Sequence, residues 1–287
     1  MTSSMNKHSL KKAIQRFYKS RLQALQECDP EDLRKPAIVF SPHQDDETLG
    51  CGGTIIRARK AGARVKVVYL TDGSAANFDL IDFQKLMVIR EKEALAATQI
   101  LGLTSGDIVF LRFKDGKLQD FQQAAIKSIL KILVQEQPEV VFIPYHREPS
   151  FIPDHTATNQ IVLAALKQLG IEVIVYEYPI WLWHHYPWIA LNPEQRKGLF
   201  GLMTLIKNGL MSLHMSFRLL KDFRYCVDIK NCIIIKHEAL YEHKSQMTQF
   251  ISDPRWLSIP DISNGEFLAC FFQEREIFYR YSLKPKS

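Results

Sequence analysis

Short apolar runs rich in β-branched residues alternate with helix-forming segments over the first two thirds of the chain. This alternation is the feature that most constrains the fold. The runs are almost continuously apolar, which is typical of strands buried on both faces of a sheet. Helical segments separate the runs, as the crossover connections of parallel strands require. The sequence therefore predicts an α/β fold with a mostly parallel sheet and helices on both faces. The predicted strands are residues 37–40, 65–70, 108–111, 140–143 and 173–176.

Between these strands, helical spacing of apolar residues predicts helices at about 83–101, 121–134 and 154–169. The C-terminal third is less regular, and a Trp-, His- and Pro-rich stretch there predicts a loop. The predicted loop is 181–193. We interpret 194–222 as a basic amphipathic helix, 225–229 as a strand and 233–250 as a helix. Two aromatic runs, Phe267–Phe272 and Ile277–Tyr281, are interpreted as edge strands that close over the functional site.

Charge is concentrated at the N-terminus of a mildly basic chain. The net charge is +6 and the pI is near 9.0. We predict that residues 1–34 form a basic helical extension and that residues 35–287 form a single domain, with 180–222 as an insertion or lid. A solvated or domain-covering helix is favoured over a nucleic-acid or membrane arm. The basic residues at the N-terminus are Lys7, Lys11, Lys12, Arg16, Lys19 and Arg21.

The cysteines and the apolar runs indicate the cellular compartment in which the protein is expected. Five cysteines, an odd number with no Cys-x-x-Cys pair, favour buried free thiols in a reducing environment. The N-terminus lacks the apolar core and cleavage site of a signal peptide. No apolar run approaches the roughly 20 residues that span a bilayer. We expect a soluble, cytoplasmic protein.

Polar clusters follow three of the predicted strands. They are His43–Glu47 after the first strand, Thr71–Gly73 after the second and Tyr145–His155 after the fourth. In parallel α/β sheets, ligands bind at the carboxyl ends of the strands. The sequence therefore predicts that these clusters meet at one site.

Two histidines and an acidic pair in these clusters predict a metal centre. His43 and Asp46, three residues apart at a strand–helix junction, together with His155 give two imidazoles and one carboxylate, the ligand set of a catalytic zinc ion. Asp45 lies beside them and is a candidate general base for a bound water. Helix capping by Asp46 or Glu47 is an alternative that explains one acid well, but it does not explain two histidines and an acidic pair.

The stretch PHQDDE at 42–47, followed by LGCGG at 49–53, resembles the signature of the PIG-L/LmbE-like deacetylases. These are zinc-dependent enzymes that usually remove N-acetyl groups from N-acetylglucosamine-containing compounds. The likeness continues through Thr71–Gly73, REKEA at 90–94, Leu101-Gly102 and Pro153-Asp154-His155. It returns weakly in KHEALYEHKSQ at 236–246, so it covers most of residues 37–247.

The resemblance implies a Rossmann-like fold, in agreement with the strand–helix pattern, and it implies roles for individual residues. By motif position His43, Asp46 and His155 are the zinc ligands and Asp45 is the general base. Arg90 matches a substrate-contacting arginine, with a surface salt bridge as an equal alternative. Asp154 orients an active-site group or binds substrate, and a helix N-cap is nearly as well supported. His243 and Gln246 match a C-terminal pattern, where we favour packing or capping.

The chain departs from the family pattern at Ile152. The family usually has a histidine there, which stabilises the oxyanion or protonates the leaving amine, and isoleucine can do neither. We predict His146 as the substitute because its loop also carries His155, with Tyr145, His184 or His185 as alternatives. A solvent-facing histidine without a catalytic role is at least as well supported for His146.

The predicted function is metal-dependent hydrolysis of an N-acetylated amino sugar or glycoconjugate, with Zn²⁺ as cofactor. The alternatives are an amide hydrolase acting on a non-sugar acyl amide and a catalytically weak, metal-containing sugar-binding protein. Aromatic residues at 176–188 suit either a carbohydrate platform or loop packing. We expect no nucleic-acid partner. For residues 199–220, a core-facing helix or a homo-oligomer contact is favoured over peripheral membrane contact.

Overall fold

The computed structural model describes residues 2–75, 80–149, 151–185 and 217–285. Eight strands in this part of the chain form one mixed sheet in the order β1-β7-β8-β6-β5-β2-β3-β4. The strands are β1 (Gln26–Glu27), β2 (Ala37–Ser41), β3 (Val65–Thr71), β4 (Ile108–Phe113), β5 (Val140–Pro144), β6 (Val173–Tyr178), β7 (Tyr225–Asp228) and β8 (Arg275–Leu283).

The helices pack on both faces of this sheet, and the α/β fold predicted from the sequence is confirmed. The three helices predicted in the alternating region all form, with bounds that differ from the prediction by at most two residues. The α-helices that lie wholly within the described ranges are α1 (Thr2–Gln23), α2 (Asp46–Lys60), α3 (Phe83–Ile100), α4 (Gln122–Glu136), α5 (Pro153–Leu169), α6 (Ile233–Tyr241), α7 (Lys244–Met247) and α8 (Glu266–Ala269).

The centre of the sheet is parallel, and β2 lies at its topological switch point. Ala37 of β2 pairs with Val65 of β3 on one side and with Val140 of β5 on the other. The chain leaves β2 for one half of the sheet and later returns to build the other half, so a crevice opens beyond its carboxyl end. This position gives the residues that follow Ser41 access to a ligand.

Alternation along the strands divides the core between the two faces of the sheet. Val39 and Val67 face a cluster that includes residues of α2, whereas Ile38 and Val68 face a cluster formed largely with α4 and α5. All four side chains are almost completely buried. This two-sided burial explains why the strands read as continuous apolar runs.

Two glycines in the LGCGG segment allow α2 to lie close to its neighbours. A Cβ atom at Gly50 would lie 2.3 Å from Cδ2 of Tyr178, and one at Gly53 would lie 2.5 Å from Cγ2 of Ile229. Both contacts are closer than real Cβ atoms tolerate, so these glycines serve close packing of the helix. The carboxylate of Glu276 on β8 also accepts the backbone N–H groups of Gly53 and Thr54, each at 2.7 Å, and ties β8 to α2.

Two aromatic edge strands were predicted in the tail. The prediction is wrong for Phe267–Phe272, and for Ile277–Tyr281 it is wrong in placing the strand at an edge. Residues 266–272 are helical, because Phe267 and Phe271 are four residues apart, pack together and are both buried on one helical face. The second run does form β8, but β8 lies between β6 and β7 rather than at an edge. Its backbone pairs with β6 on one side and with β7 on the other.

The predicted N-terminal helix is present as α1, and the first 34 residues also contribute β1, which pairs with β7. The predicted domain boundary at residue 35 stays a prediction. Of the predicted 181–193 loop, residues 181–185 form a 3₁₀ helix. The remainder of that loop and residues 194–216 lie outside the described residues. The last part of the 194–222 segment, residues 217–222, is described and is helical. None of the helices in the described ranges combines the length and apolar character that a bilayer-spanning segment needs.

Candidate metal centre and active site

The β2–α2 junction is built by hydrogen bonds between neighbouring side chains and backbone. The carboxylate of Asp46 accepts the backbone N–H of His43 at 3.1 Å, and that of Glu47 accepts the N–H of Asp45 at 3.0 Å. Asp45 has a φ of 146°, a conformation that residues other than glycine rarely adopt. Glu47 is itself held by the buried ring of His243 at 3.2 Å. These contacts maintain the strained turn from which the acidic pair projects.

The structure brings the three predicted metal ligands together. One donor atom from each of His43, Asp46 and His155 lies within 4.8 Å of the other two. Oδ2 of Asp46 is 3.2 Å from Nδ1 of His43 and 3.3 Å from Nε2 of His155. His43 comes from the turn after β2 and His155 from the first turn of α5, so the sheet edge supplies the convergence.

The donor set fits a divalent cation. His155 is completely buried; its Nδ1 has no hydrogen-bond partner among the described residues, and its Nε2 lies 3.3 Å from Oδ2 of Asp46. A buried imidazole nitrogen without a partner is costly unless another group satisfies it. Burial opposes ionisation of Asp46, but the nearby His155 and His43 outweigh it and hold the pKa of that carboxyl well below its usual range. A carboxylate therefore faces two imidazoles, which is the donor set that zinc accepts.

Asp115 is a site residue that the sequence analysis missed. It lies two residues after β4, and its Oδ1 is 3.0 Å from Nε2 of His43, while its Oδ2 accepts the N–H of Ala75 at 2.9 Å. If Nε2 of His43 donates to this carboxylate, Nδ1 presents its lone pair towards Asp46 and a cation. Burial disfavours charge on His43, but Asp115 and the other nearby carboxylates raise its pKa well above the ordinary value. Its place after a parallel strand is the signal that could have identified Asp115.

Replacing Asp115 with asparagine is expected to weaken metal binding about 10- to 100-fold, because the amide no longer increases the basicity of the ligand imidazole. The measurement is zinc affinity by competition with a chelating dye. Asp120→Asn, at an exposed position, is the matched control and should keep the parent affinity. Unchanged affinity in Asp115→Asn would show that this carboxylate does not support the centre.

Asp154 has a structural role in this arrangement. Its two carboxylate oxygens accept the backbone N–H groups of Gly116 and Leu118 at 2.6 and 3.0 Å, and Oδ2 also lies 3.5 Å from Nε2 of His43. The side chain is almost fully buried. Asp154 therefore fixes the loop that carries Asp115 and helps to orient His43, which fits the predicted orienting role better than direct substrate binding.

Asp45 lies beside the ligands and is held by a segment distant in sequence. Its Oδ2 accepts a hydrogen bond from the side-chain amide of Gln246. Gln246 is positioned in turn because the carboxylate of Glu93 accepts both the N–H and the hydroxyl of Ser245, at 2.8 and 2.6 Å. Burial, and then the charge of Asp46, raise the pKa of Asp45 well above its ordinary value. The sequence matched Gln246 to a family pattern but did not predict this contact.

Arg90 lines the same cavity and is buried, with only 5% of its surface exposed. Its predicted alternative, a surface salt bridge, does not suit this burial. The guanidinium lies close enough to Asp45 and Asp115 to affect the pKa of both carboxyls. Arg90 can therefore offer positive charge and N–H donors to a ligand in the cavity.

Ile152 lines the cavity at the position where the resemblance places a histidine. The predicted substitute, His146, is not among the described residues that line the cavity; its Nδ1 is 2.6 Å from Oε2 of Glu177 instead. The ring of His184 packs near Phe151 and Phe267, with centroids 6.1 and 6.4 Å away. The structure thus brings no predicted substitute histidine into direct contact with the ligand cluster among the described residues, and a catalytic role for His146 stays a prediction.

The cavity that contains these residues has a volume of about 500 Å³, which is in the range of small-molecule sites. The charged side chains that line it are those of His43, Asp45, Asp46, Arg90, Asp115 and Asp154. Its walls come from the loop before α5, the segment after β6 and the 257–267 segment. The described aromatic residues of the 176–188 segment have two different environments. Tyr176, Tyr178 and Trp183 are buried in the core, whereas Trp181 lines the cavity.

A buried carboxyl fixes the segment after β6. Oε1 of Glu148 accepts the N–H of Ile180 at 2.7 Å, while Oε2 is buried without a hydrogen-bond partner among the described residues. Burial raises the pKa of Glu148 to about 8. At neutral pH the folded chain therefore favours the protonated carboxyl, which can donate from one oxygen and accept at the other.

Glu148 should make folding stability depend on pH. Because its pKa is raised in the folded state, its contribution is fully present below the unfolded value, near 4.3, and is lost as the pH rises through about 8. We expect Glu148→Gln to remove this dependence, so that the variant gains a few kcal/mol relative to the parent between pH 5 and pH 8. Urea unfolding of both proteins at the two pH values tests this. A constant difference between them would contradict the assignment.

Comparisons with known proteins agree with this geometry. Residues 38–166 match the family model PIG-L, described as GlcNAc-PI de-N-acetylase. The chain is 31% identical over 137 residues to a probable N-acetyl-alpha-D-glucosaminyl L-malate deacetylase 2 of Bacillus anthracis, covering 46% of this chain and 59% of the relative. It is 30% identical over 145 residues to the diacetylchitobiose deacetylase of Thermococcus kodakarensis, covering 50% of this chain and 53% of that relative. The chain thus spans little more than half the length of these curated relatives.

A solved structure extends the likeness in fold beyond the matched segment. The N,N'-diacetylchitobiose deacetylase of Pyrococcus horikoshii superposes with a TM-score of 0.60 at 22% identity, covering 87% of this chain and 84% of the other. At that identity the superposition supports the fold alone. The segment matched by the family model holds every predicted metal ligand, as well as Asp45 and Arg90. Residues 38–166 of the chain are thus similar to the PIG-L family.

Proposed function

We propose that this protein is a zinc-dependent hydrolase that removes an N-acetyl group from an N-acetylglucosamine-type amino sugar or glycoconjugate. The observation that carries the proposal is the convergence of His43, Asp46 and His155 within 4.8 Å, beside a cavity that is lined by two of them, His43 and Asp46, and by Asp45. The match of residues 38–166 to the PIG-L family model and the deacetylases among the relatives support the reaction type.

His43, Asp46 and His155 would hold the ion through two imidazole nitrogens and one carboxylate oxygen. A three-residue ligand set of this kind leaves a position open, as in catalytic rather than structural zinc sites. When bound, zinc would polarise the amide carbonyl and lower the pKa of a bound water towards about 7.

Side chains of this chain transfer the proton and orient the substrate. Asp45 accepts the proton of the attacking water; Gln246 occupies its Oδ2, which leaves Oδ1 for this role. The buried guanidinium of Arg90 donates to a polar group of the substrate and orients it. As the amide C–N bond breaks, the same proton passes from Asp45 to the departing amine, because Ile152 cannot supply one. The products are the free amine and acetate.

Metal analysis combined with an acetate-release assay on a panel of N-acetylated sugars tests the proposal. We expect about one zinc ion per chain, together with release of acetate and amine in equal amounts from at least one N-acetylglucosamine derivative. Removal of the metal with a chelator should abolish release, and added zinc should restore it. A metal-free protein with the parent activity would contradict the mechanism.

A second candidate is a metal-containing sugar-binding protein with weak catalysis. The observation that favours it is Ile152, which lines the cavity where the family usually has a histidine. Stoichiometric zinc and saturable sugar binding, without acetate release from any member of the panel, would support this candidate over the hydrolase.

A further inference from the structure

Residues 243–246, with the sequence HKSQ, hold Asp45 in two ways, and we call them the clamp segment. The side-chain amide of Gln246 donates to Oδ2 of Asp45. Nε2 of His243 lies 3.2 Å from Oε1 of Glu47, and Oε2 of this carboxylate accepts the backbone N–H of Asp45 at 3.0 Å. One short segment therefore contacts the side chain of Asp45 directly and supports its backbone through one intermediate.

Asp45 needs these contacts because its backbone is strained and its carboxylate can rotate. Its φ of 146° is a conformation that residues other than glycine rarely adopt, and such a conformation persists only where the surroundings hold it. The torsion that turns an aspartate carboxylate is broad, so the backbone alone does not aim the oxygens. With the amide of Gln246 on Oδ2, the carboxylate presents Oδ1 in one orientation.

The clamp segment is itself fixed in place. Its two ends belong to one turn, since the backbone carbonyl of His243 accepts the N–H groups of Gln246 and Met247, each at 2.9 Å. The carboxylate of Glu93 on α3 accepts both the N–H and the hydroxyl of Ser245, at 2.8 and 2.6 Å. The side chains that make these contacts are buried. A movement of Gln246 therefore requires several hydrogen bonds to break together.

Trp256 connects the clamp segment to the lining of the cavity. Its indole N–H donates to the backbone carbonyl of Ser245 at 3.1 Å, and the residue is only 2% exposed. A buried indole N–H needs such a partner. The next three residues, 257–259, line the cavity together with Gln246. One stretch of chain thus borders the ligand and holds the proposed base.

We propose that Gln246 and Trp256 are positioning residues of the reaction: Gln246 fixes the orientation of the Asp45 carboxylate, and Trp256 fixes Gln246 through the carbonyl of Ser245. This rests on the proposed hydrolase function. Neither residue is one of the proposed metal ligands, so loss of either should slow the chemical step while the metal stays bound. A base held at the correct angle to the attacking water speeds proton transfer, and a small misplacement is costly.

The first test is Gln246→Met, which keeps the length of the side chain but removes the N–H donor. In the zinc-loaded full chain we expect kcat for the best N-acetylated substrate to fall about 10- to 100-fold, with KM and zinc content unchanged. Gln249→Met makes the same chemical change at an exposed position three residues further on and should match the parent. An unchanged kcat in Gln246→Met would overturn the proposal.

A double variant separates positioning from a general structural effect. In the Asp45→Asn background, Gln246→Met should cause no further loss of the residual activity, because the carboxylate that it orients is already gone. A further loss as large as in the parent background would contradict the positioning role.

Trp256→Phe removes the indole N–H and keeps an aromatic ring in the same place. We expect kcat to fall at least threefold at constant KM, and we expect no added effect when the change is combined with Gln246→Met. A rise in KM at constant kcat would place Trp256 in substrate binding and remove it from the proposal.

Hydrogen exchange provides a readout that does not depend on turnover. The N–H groups of Thr48 and Leu49 donate to the carbonyl of Asp45 at 3.0 and 2.9 Å, so they report on this turn. By mass spectrometry of the zinc-loaded chain, we expect a peptide that spans 43–49 to exchange at least fivefold faster in Gln246→Met, but not in Gln249→Met.

The two readouts distinguish the possible failures. If exchange accelerates but the parent hydrolyses no amide, the hydrolase proposal fails, whereas the clamp on Asp45 stands. If the parent releases acetate but Gln246→Met changes neither kcat nor exchange, the positioning proposal fails alone.

Discussion

Asp45→Asn is expected to lower kcat/KM for the best N-acetylated substrate by about 10²- to 10⁴-fold, because the amide cannot accept the proton of the attacking water. Zinc content should stay at the parent value, since Asp45 is not one of the proposed ligands. Acetate release and metal analysis on the same preparation measure both quantities. The loss should appear in kcat rather than in KM, because asparagine keeps the size and shape of the side chain.

The control for this prediction is Asp120→Asn, which makes the same chemical change at an exposed position. It should retain both activity and metal. Turnover at the parent rate in Asp45→Asn would exclude Asp45 as the base. Loss of zinc from that variant would instead place Asp45 among the ligands.

His155→Ala is expected to remove the metal and, with it, all hydrolysis. The substitution deletes one of three protein ligands, and the remaining His43 and Asp46 cannot complete a tight zinc site. We expect bound zinc to fall from about one ion per chain to less than about a tenth after dialysis. Elemental analysis of the dialysed protein gives this value, and circular dichroism verifies that the variant is folded.

His237→Ala is the matched control, because His237 is exposed on α6 and stacks on Tyr241 far along the chain from the ligands. It should keep its zinc. His155→Gln provides a second variant that fills more of the buried space. Full zinc occupancy in a folded His155→Gln or His155→Ala protein would contradict the proposed centre and the mechanism built on it.

Much of the central sheet was predictable because its signals are local. An apolar run such as 37–40 is buried on both faces wherever it occurs, so its composition indicates a strand before any partner is known. The tail shows the limit of this argument. Phe267 and Phe271 suit a strand by composition, but their rings lie 5.2 Å apart. Residues four apart are neighbours on a helix, whereas in a strand they would be about 13 Å apart.

The residues of the site also differ in how far the sequence predicts them. His43, Asp45 and Asp46 lie within four residues of one another, and Pro153-Asp154-His155 is a recognisable motif, so the sequence by itself determined which residues to place together. Asp115 has no such motif. It lies 72 residues from His43 in sequence, and only the register of β4 in the sheet brings their side chains to 3.0 Å.

The sequence alone thus determined the order of the five central strands and of the three helices predicted between them, and it singled out the candidate ligands, because these signals lie in short motifs of neighbouring residues. The tertiary structure alone decided that Gln246 reaches Asp45 across 201 residues, that Arg90 is buried in the cavity, and that Ile152 lines the same cavity. The physical reason is that these contacts depend on how distant segments pack. Side-chain periodicity specifies which face of an element is buried, but not which residue lies opposite.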